Sequence, residues 1–181
     1  MECSYRRVPG YPLATLLRLA LLALHTAPFE PLDVLLSYSH LNLQNSTLLA
    51  FASAFRTRAR ITQLITASPL NMGLLAPSIP AFHPASAALR SATGDAQTAL
   101  REKGTTLIDI ALGYAYREAR ARDLPTVVGL SRPHEVHETM RVWRALQAEG
   151  TDAEAADARR AREADALAIL GPFVDYSWAS P

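Results

Sequence analysis

The chain is poor in cysteine, in aromatic residues and in net charge, and each shortage excludes a class of protein. Cys3 is the only cysteine, so an internal disulfide cannot form and a zinc site built from cysteines is not expected. Such sparse cysteine suits a reducing compartment, and we expect a cytoplasmic protein. A net charge of +1 and an aromatic content of 7% argue against nucleic-acid binding, which needs basic residues for phosphates and rings for stacked bases.

Long hydrophobic runs and glycine-rich phosphate loops are also missing. The apolar stretch at residues 16–24 contains Arg18 and is far shorter than the ~20 residues that span a bilayer. We therefore predict a buried amphipathic helix there, with neither a membrane segment nor a signal peptide. No G-x-G-x-x-G pattern follows an apolar run, so a flavodoxin-like or similar open nucleotide-binding sheet ranks last. His134 and His137 have no third ligand nearby, which predicts surface residues rather than a metal site.

What the chain does have is apolar material in alternating helical and strand-like segments. Hydrophobic residues make up 49% of the 181, enough for the core of one domain or of part of one. The apolar spacing predicts helices at 12–27, 46–58, 85–103, 105–122, 133–146 and 152–170, and strands at 32–38, 61–67 and 125–130. Crossovers of this length return the chain to the same end of a sheet, so we expect parallel strands.

Two of the predicted helices carry expectations about which face is buried. The helix that begins at Pro133 should pack on the sheet through its apolar face, which carries Val136, Met140, Trp143 and Leu146. The last helix is rich in alanine, arginine and glutamate, so it is expected to keep a mostly solvated face whose charges need no function.

The segment around Ser68 and Pro69 predicts a ligand loop. A predicted strand ends at Ala67 and breaks at Ser-Pro into a loop that contains Leu70 and Gly73. In parallel α/β proteins the loops after the carboxyl ends of the strands carry the ligand, so Ser68, Leu70 and Gly73 stand where a cofactor would lie. The alternative is an ordinary turn from strand to loop.

Three motifs occur in one order and together resemble a known family. They are DVLLSYSH at 33–40, ASPL at 67–70 followed by Gly73, and GLSRPHEVHE at 129–138. In this order they resemble the later strands of the aldo-keto reductases, in particular sugar dehydrogenases that act on L-galactose or D-arabinose. The tail GPFVDYSW at 171–178 resembles fungal members of that group. The resemblance covers residues 9–181, whereas residues 1–8 match nothing in the family.

The resemblance implies an α/β fold that is part of a (β/α)8 TIM barrel. The predicted strands would be the sixth, seventh and eighth of the barrel, and Gly10 would follow the fifth. A truncated or misassigned start is the simplest account of the unmatched residues 1–8 and of Pro9. Half a barrel leaves strand edges unpaired, so we expect self-association or pairing with a complementary half.

The family transfers hydride between a nicotinamide dinucleotide and a carbonyl or alcohol, here an aldose or a related compound. It uses Tyr as the proton donor or acceptor and Lys, Asp and His to tune and orient that Tyr, and all four come from the first half of the barrel. Lys103 is the only lysine and closes a predicted helix just before Gly104, so it does not match the buried catalytic lysine. Tyr38 and His40 are expected to shape the pocket rather than to transfer protons. We therefore expect no catalytic residue and an inactive chain, the alternative being a non-catalytic interaction protein.

A cofactor cradle is what the resemblance leaves to these residues. The expected cofactor-binding residues are Ser68, Leu70, Gly73, Gly129, Leu130, Ser131, Arg132, Glu135 and Glu138. The Ser68 hydroxyl and the amides near Leu70 and Gly73 would meet the pyrophosphate, and the helix that begins at Pro133 would offer its positive end. By the resemblance, the residues from Ser131 to Glu138 would surround the adenosine. Without the resemblance, Arg132 and Glu138 are equally well explained as exposed charges at a helix start.

The predicted cofactor is NAD, with NADP as the alternative. Glu135 stands where relatives that select the 2′-phosphate often have arginine, and a carboxylate repels that phosphate while accepting from a free ribose hydroxyl. Three further positions depart from the family pattern: Ala67, Thr139 and Pro9. They change the expected contacts to the nicotinamide and adenine rings.

Overall fold

The computed structural model describes residues 6–149 and 152–178 and shows a parallel sheet flanked by helices. The strands are β1 (Arg7–Gly10), β2 (Val34–Tyr38), β3 (Gln63–Ala67) and β4 (Thr126–Val127). The helices are α1 (Leu13–His25), α2 (Leu48–Thr57), α3 (Ala87–Glu102), α4 (Leu107–Arg120), α5 (Pro133–Glu149) and α6 (Ala153–Leu170). Short 3₁₀ turns span Asn71–Gly73 and Gly171–Phe173.

The strands lie side by side in chain order, β1-β2-β3-β4, and every neighbouring pair is parallel. Helices connect each strand to the next: α1, then α2, then α3 with α4. Such crossovers return the chain to the same end of the sheet, so neighbouring strands run parallel. All carboxyl ends therefore meet at one edge. This is the predicted α/β architecture of part of a (β/α)8 barrel, with one strand more than predicted.

The core fills only one face of the sheet. Leu35 of β2 and Leu64 of β3 are 0% and 1% exposed and pack with residues of α1 and α2. Side chains alternate between the two faces of a strand, so Leu36 and Tyr38 lie on the other face, where they are only half-buried. The uncovered face is the one that would line the inside of a barrel.

The helix caps follow the sequence closely. The Ser86, Thr106 and Asp152 side chains accept hydrogen bonds from the amides three residues on, at the starts of α3, α4 and α6. Gly104 follows α3 with φ of +71°, a conformation that suits glycine at a helix end. These local signals explain why the predicted helix bounds differ from the observed ones by only a few residues.

The two strands at the sheet edges differ from expectation. Apolar patterning did not predict β1, because Arg7–Gly10 is short and has no apolar alternation, although the resemblance placed the end of a strand just before Gly10. Pairing with Val34–Ser37 of β2 creates the strand. The last strand was predicted at 125–130 but contains only Thr126–Val127. Within residues 6–149 and 152–178, β4 pairs only with β3.

The prediction that α5 packs on the sheet through Val136, Met140 and Trp143 is wrong. These side chains are 38% to 45% exposed, and Val142 is the buried residue of α5. Val142 packs against Ile108 and other residues of α4. A two-residue β4 provides too little sheet for α5 to cover, so α5 turns its apolar contact toward α4.

The charges of α6 are less solvated than predicted. Glu163 is 5% exposed and forms an ion pair with Arg117 of α4. Arg159 holds Glu149 at the end of α5 through Nε and Nη2, at 2.6 to 3.0 Å. The charges of α6 therefore join three helices, which amphipathic periodicity alone did not indicate.

The described residues contain neither a membrane-spanning helix nor a cluster of metal ligands. Within residues 6–149 and 152–178, no helix is long and apolar enough to cross a membrane. In the same part of the chain, no three His, Cys, Asp or Glu side chains come close enough together to bind a metal ion.

Candidate cofactor-binding site

The loops that follow β2, β3 and β4 meet at the carboxyl edge of the sheet. The Ser39 amide donates to the Ala67 carbonyl at 3.0 Å, and the Ser68 amide donates to the Val127 carbonyl at 3.1 Å. These bonds extend the ladder just past the strands and place the 68–73 loop beside the 128–132 segment. The two halves of the predicted cradle are therefore neighbours.

The loop from Ser68 to Gly73 is a tight turn with an unusual backbone. Ser68, Asn71, Met72 and Gly73 all have positive φ, from +51° to +88°, and three of them are not glycine. The Ser68 hydroxyl accepts from the Met72 amide at 2.8 Å. The Gly73 amide donates to the Leu70 carbonyl at 3.1 Å.

These bonds limit what the 68–73 loop can offer a ligand. The Gly73 amide is already used inside the turn, whereas the Ser68 hydroxyl keeps its own proton for one more acceptor. The Leu70 side chain packs against two buried clusters, one around Leu43 and one around Ile108. A β-carbon on Gly73 would lie 2.9 Å from Pro80 Cδ, so packing requires glycine there in addition to its positive φ.

The segment 129–132 is open to solvent. Gly129, Leu130, Ser131 and Arg132 are all exposed. A β-carbon built on Gly129 meets nothing within 4 Å, so this backbone is free for close approach by a ligand. The Arg132 side chain adds a positive charge at the same place.

Glu135 binds two backbone amides at the start of α5, the helix whose positive end we expected to face a phosphate. Its Oε2 accepts from the Ser131 amide at 2.6 Å and from the Arg132 amide at 3.0 Å. The bonds from Ser131 and then Arg132 lower the pKa of the Glu135 carboxyl because they stabilise its charged form. The positive end of α5 thus holds an anion of the chain itself.

Glu138 lies one helical turn beyond Glu135 in α5. It lines a small cleft of about 70 Å³ together with Leu75 and Arg101, which are outside the 68–73 loop. The bond from Ser68 to Val127 is therefore what brings the 68–73 loop to the segment that begins at residue 128.

An aromatic cluster stands at the same edge and was not predicted. The Tyr11 ring contacts His40 at 4.6 Å and Trp178 at 5.7 Å between centroids. His83 meets Trp178 edge-on at 4.8 Å. Tyr11, His83 and Trp178 are far apart in sequence, and the only signal was the family-like tail at 171–178.

His40 belongs to this cluster as a buried side chain. It is 3% exposed, and desolvation lowers its pKa. Lys103 lies elsewhere: its ammonium pairs with Asp165 of α6, and the side chain is about half exposed. It is therefore not a buried lysine.

A cleft larger than the one beside Glu138 is in a different place. It measures about 510 Å³ and lies between α4 and α5, beside the start of β4, where Leu124, Pro125 and Trp143 line it. Ligands of parallel α/β sheets bind at the carboxyl ends of the strands. The position at the carboxyl ends of the strands therefore favours the 68–73 loop and the 128–132 segment, rather than this larger cleft, as the ligand site.

Comparisons with known proteins identify the fold family. No protein-family model matches the sequence. The chain is 32% identical over 158 residues to L-galactose dehydrogenase of Arabidopsis thaliana, covering 87% of this chain and 46% of that protein. It is 34% identical over 131 residues to D-arabinose 1-dehydrogenase of Saccharomyces cerevisiae, covering 71% of this chain and 39% of that protein. The chain thus spans less than half the length of these relatives. Both relatives are aldo-keto reductases, and with its parallel α/β sheet the chain belongs to the aldo-keto reductase family.

Proposed function

We propose that these residues form the cofactor-binding part of a nicotinamide-dependent sugar dehydrogenase. The observation that carries the proposal is the meeting of the 68–73 loop and the 128–138 segment, joined by the bond from Ser68 to Val127. The relatives named L-galactose dehydrogenase and D-arabinose 1-dehydrogenase support an aldose or a similar alcohol as substrate. The bound nicotinamide would accept hydride from the sugar carbon.

Each part of the edge has a distinct role in this proposal. The Ser68 hydroxyl donates its remaining proton to the pyrophosphate, and Arg132 supplies the opposite charge. Gly129 lets the dinucleotide approach the backbone closely. Leu70 and Leu130 provide apolar contacts, and Glu138 accepts from the adenosine end.

Glu135 makes NAD the favoured cofactor. Its carboxylate already uses the amides of Ser131 and Arg132, the same donors that a phosphate would need. A 2′-phosphate would face both the loss of these donors and repulsion by the carboxylate. A free ribose hydroxyl meets neither penalty and can donate to Glu135.

We propose that none of the 181 residues exchanges a proton with the sugar. The single lysine is paired and half exposed, and His40 is buried against Tyr11. The reaction needs a group that exchanges a proton with the sugar oxygen. We therefore expect this chain to bind the cofactor without turning over the sugar.

The test is titration of the purified chain with NAD⁺ and NADP⁺ by calorimetry, with an assay for oxidation of L-galactose and D-arabinose. We expect NAD⁺ to bind about tenfold more tightly than NADP⁺ and no turnover. Glu135→Gln should remove most of the preference, because the amide carries no charge. Glu154→Gln, which changes an acidic residue in the first turn of α6, is the matched control and should keep it. Absence of NAD⁺ binding to the folded chain would reject the proposal.

A second candidate function comes from the exposed apolar residues. Val127 at the sheet edge is 48% exposed, and Met140 and Trp143 of α5 are 40% and 38% exposed. An interaction protein would use such a surface together with the unpaired side of β4. A folded chain that binds no dinucleotide and elutes as a complex would favour this function.

A further inference from the structure

The loop after β2 binds the tail that follows α6 through the tail's backbone. The Gln44 amide nitrogen donates to the carbonyls of Phe173 and Tyr176, the second at 3.0 Å. In return, the Asp175 amide donates to the Gln44 carbonyl at 2.7 Å. Gln44 is 0% exposed, so these bonds are made away from water and are costly to leave unmade.

Side chains fix the tail at two further points. Asp175 Oδ1 accepts from the Ser46 amide at 2.7 Å and from the Ser46 hydroxyl at 3.2 Å. The Trp178 amide donates to the Tyr11 hydroxyl at 3.2 Å. Asp175 itself is exposed and has φ of +60°. Specific polar contacts therefore hold the tail from Phe173 to Trp178.

The same glutamine also holds the candidate cofactor loop. The side-chain nitrogen of Asn71, Nδ2, donates to Gln44 Oε1 at 2.6 Å, and both residues are fully buried. Gln44 can present only its oxygen to Asn71, because its nitrogen donates to the two tail carbonyls. One side chain thus joins the tail to the turn after β3.

The turn depends on contacts from residues outside it, because its backbone is strained. Asn71 and Met72 have φ of +51° and +57°, in a region that costs non-glycine residues free energy and persists only where the surroundings impose it. Gln44 and His83 provide those surroundings: His83 Nε2 lies 3.0 Å from the Asn71 carbonyl. Loss of the Gln44 contact would let the turn relax.

We propose that the docked tail sets the shape of the Ser68–Gly73 loop through Gln44 and Asn71, so that tail docking and cofactor binding reinforce each other. Gln44, Asn71 and Asp175 are positioning residues, since they act on the loop and not on the reacting atoms. The link to the cofactor rests on the proposed function, whereas the link between tail and loop rests on the hydrogen bonds alone.

Asp175→Ala tests the proposal from outside the loop. The substitution removes the acceptor for Ser46 without touching residues 68–73, and it lies on the surface, so the fold is retained. Asp175→Asn is the rescue variant, because it keeps an acceptor oxygen and tolerates positive φ. Asp157→Ala, an exposed acidic residue of α6 paired with Arg160, is the matched control. Amide hydrogen exchange is measured by mass spectrometry over segments 68–76 and 171–178.

We expect Asp175→Ala to speed exchange about tenfold in both segments, and Asp175→Asn and Asp157→Ala to leave both near the wild-type rate. Gln44→Glu should act more strongly, because a carboxylate faces the two tail carbonyls while its oxygen still accepts from Asn71. Faster exchange in 171–178 with an unchanged 68–76 segment would overturn the proposal.

A second readout separates this proposal from the proposed function. By linkage, NAD⁺ must slow exchange of the tail if the tail favours NAD⁺ binding, and Asp175→Ala should weaken NAD⁺ binding about tenfold. NAD⁺ binding that leaves the tail unprotected would reject the coupling and keep the proposed function. Wild-type chain that fails to bind NAD⁺ would reject the proposed function, and the exchange of segment 68–76 in Asp175→Ala would still decide whether the tail shapes the loop.

Discussion

His83 is a buried histidine whose two ring nitrogens have fixed roles. Nδ1 lies 3.0 Å from the Ala85 backbone amide, and because that amide can only donate, Nδ1 is the acceptor. The ring proton therefore lies on Nε2, which donates to the Asn71 carbonyl at 3.0 Å. Desolvation is the largest cause that lowers the pKa of His83. A second proton would have to enter between Nδ1 and the Ala85 N–H, so the folded state keeps this ring neutral.

This arrangement predicts that the chain loses stability in mild acid. As pH falls through about 6.5, the unfolded chain takes up protons on His83 while the folded chain does not. The free energy of unfolding should therefore be highest above this pH and fall toward the folded pKa, by at most about 1.4 kcal/mol per pH unit for one group. Denaturant titrations from pH 7.5 to 5.0 measure the slope.

His83→Gln should reduce that slope, because the amide does not titrate in this range. The control is His25→Gln, which changes an exposed histidine at the end of α1 and leaves His83 in place. Equal slopes in wild type and His83→Gln would contradict the assignment. His40, whose pKa desolvation also lowers, contributes to the slope that remains.

At the scale of elements, the junction of α4, α5 and α6 depends on a glycine within a helix. A β-carbon on Gly113 of α4 would lie 2.6 Å from Arg159 Nη1. That arginine is bound to Glu149 through two nitrogens and to the Asp109 carbonyl at 3.2 Å. Gly113 is therefore the place where α6 comes close to α4.

Two alanine substitutions should have opposite effects on stability. Gly94→Ala in α3 meets nothing within 4 Å and should raise the free energy of unfolding by about 1 kcal/mol through helix propensity. Gly113→Ala should lower it by about 1–2 kcal/mol, since Arg159 must leave its partners. Chemical denaturation of both variants measures the difference. In an Arg159→Ala background the penalty of Gly113→Ala should vanish; a persistent penalty would place the clash elsewhere.

The elements also show how far sequence patterns reach. All six helices and the strands β2 and β3 were predicted to within a few residues, and for the helices this is because caps such as Ser86 and stops such as Gly104 act locally. Apolar patterning missed β1 because Arg7–Gly10 becomes a strand only by pairing with β2. The prediction of the buried face of α5 was wrong because apolar spacing does not specify which neighbouring element a helix packs against.

At the scale of the whole molecule, the apolar surface around β4 is the most consequential feature. Val127 lies on the unpaired side of the sheet, and Leu130, Met140 and Trp143 are exposed nearby along the chain. The opposite face of β2 is only half-buried at Leu36 and Tyr38. Edges and faces of this kind favour association between chains.

We expect light scattering of the purified chain at micromolar concentration to give a molar mass above the 19.7 kDa of one chain. Val127→Lys should shift it toward the monomer, because a charge at the strand edge opposes strand pairing. Leu22→Lys on α1, which is 61% exposed in wild type, is the control and should leave the assembly unchanged. A wild-type chain that is monomeric at every concentration would contradict the prediction.

The sequence by itself determined the helices, the parallel order of the strands, the family resemblance and the segments that carry the candidate site. It did so because caps, apolar periodicity and short motifs are local properties of the chain. Only the tertiary structure decided that Glu135 binds the Ser131 and Arg132 amides, that Gln44 joins the tail to Asn71, and that Tyr11 meets Trp178. Gln44 and Phe173, 129 residues apart in the chain, illustrate the reason: such contacts depend on how elements pack, and packing is a property of the whole molecule.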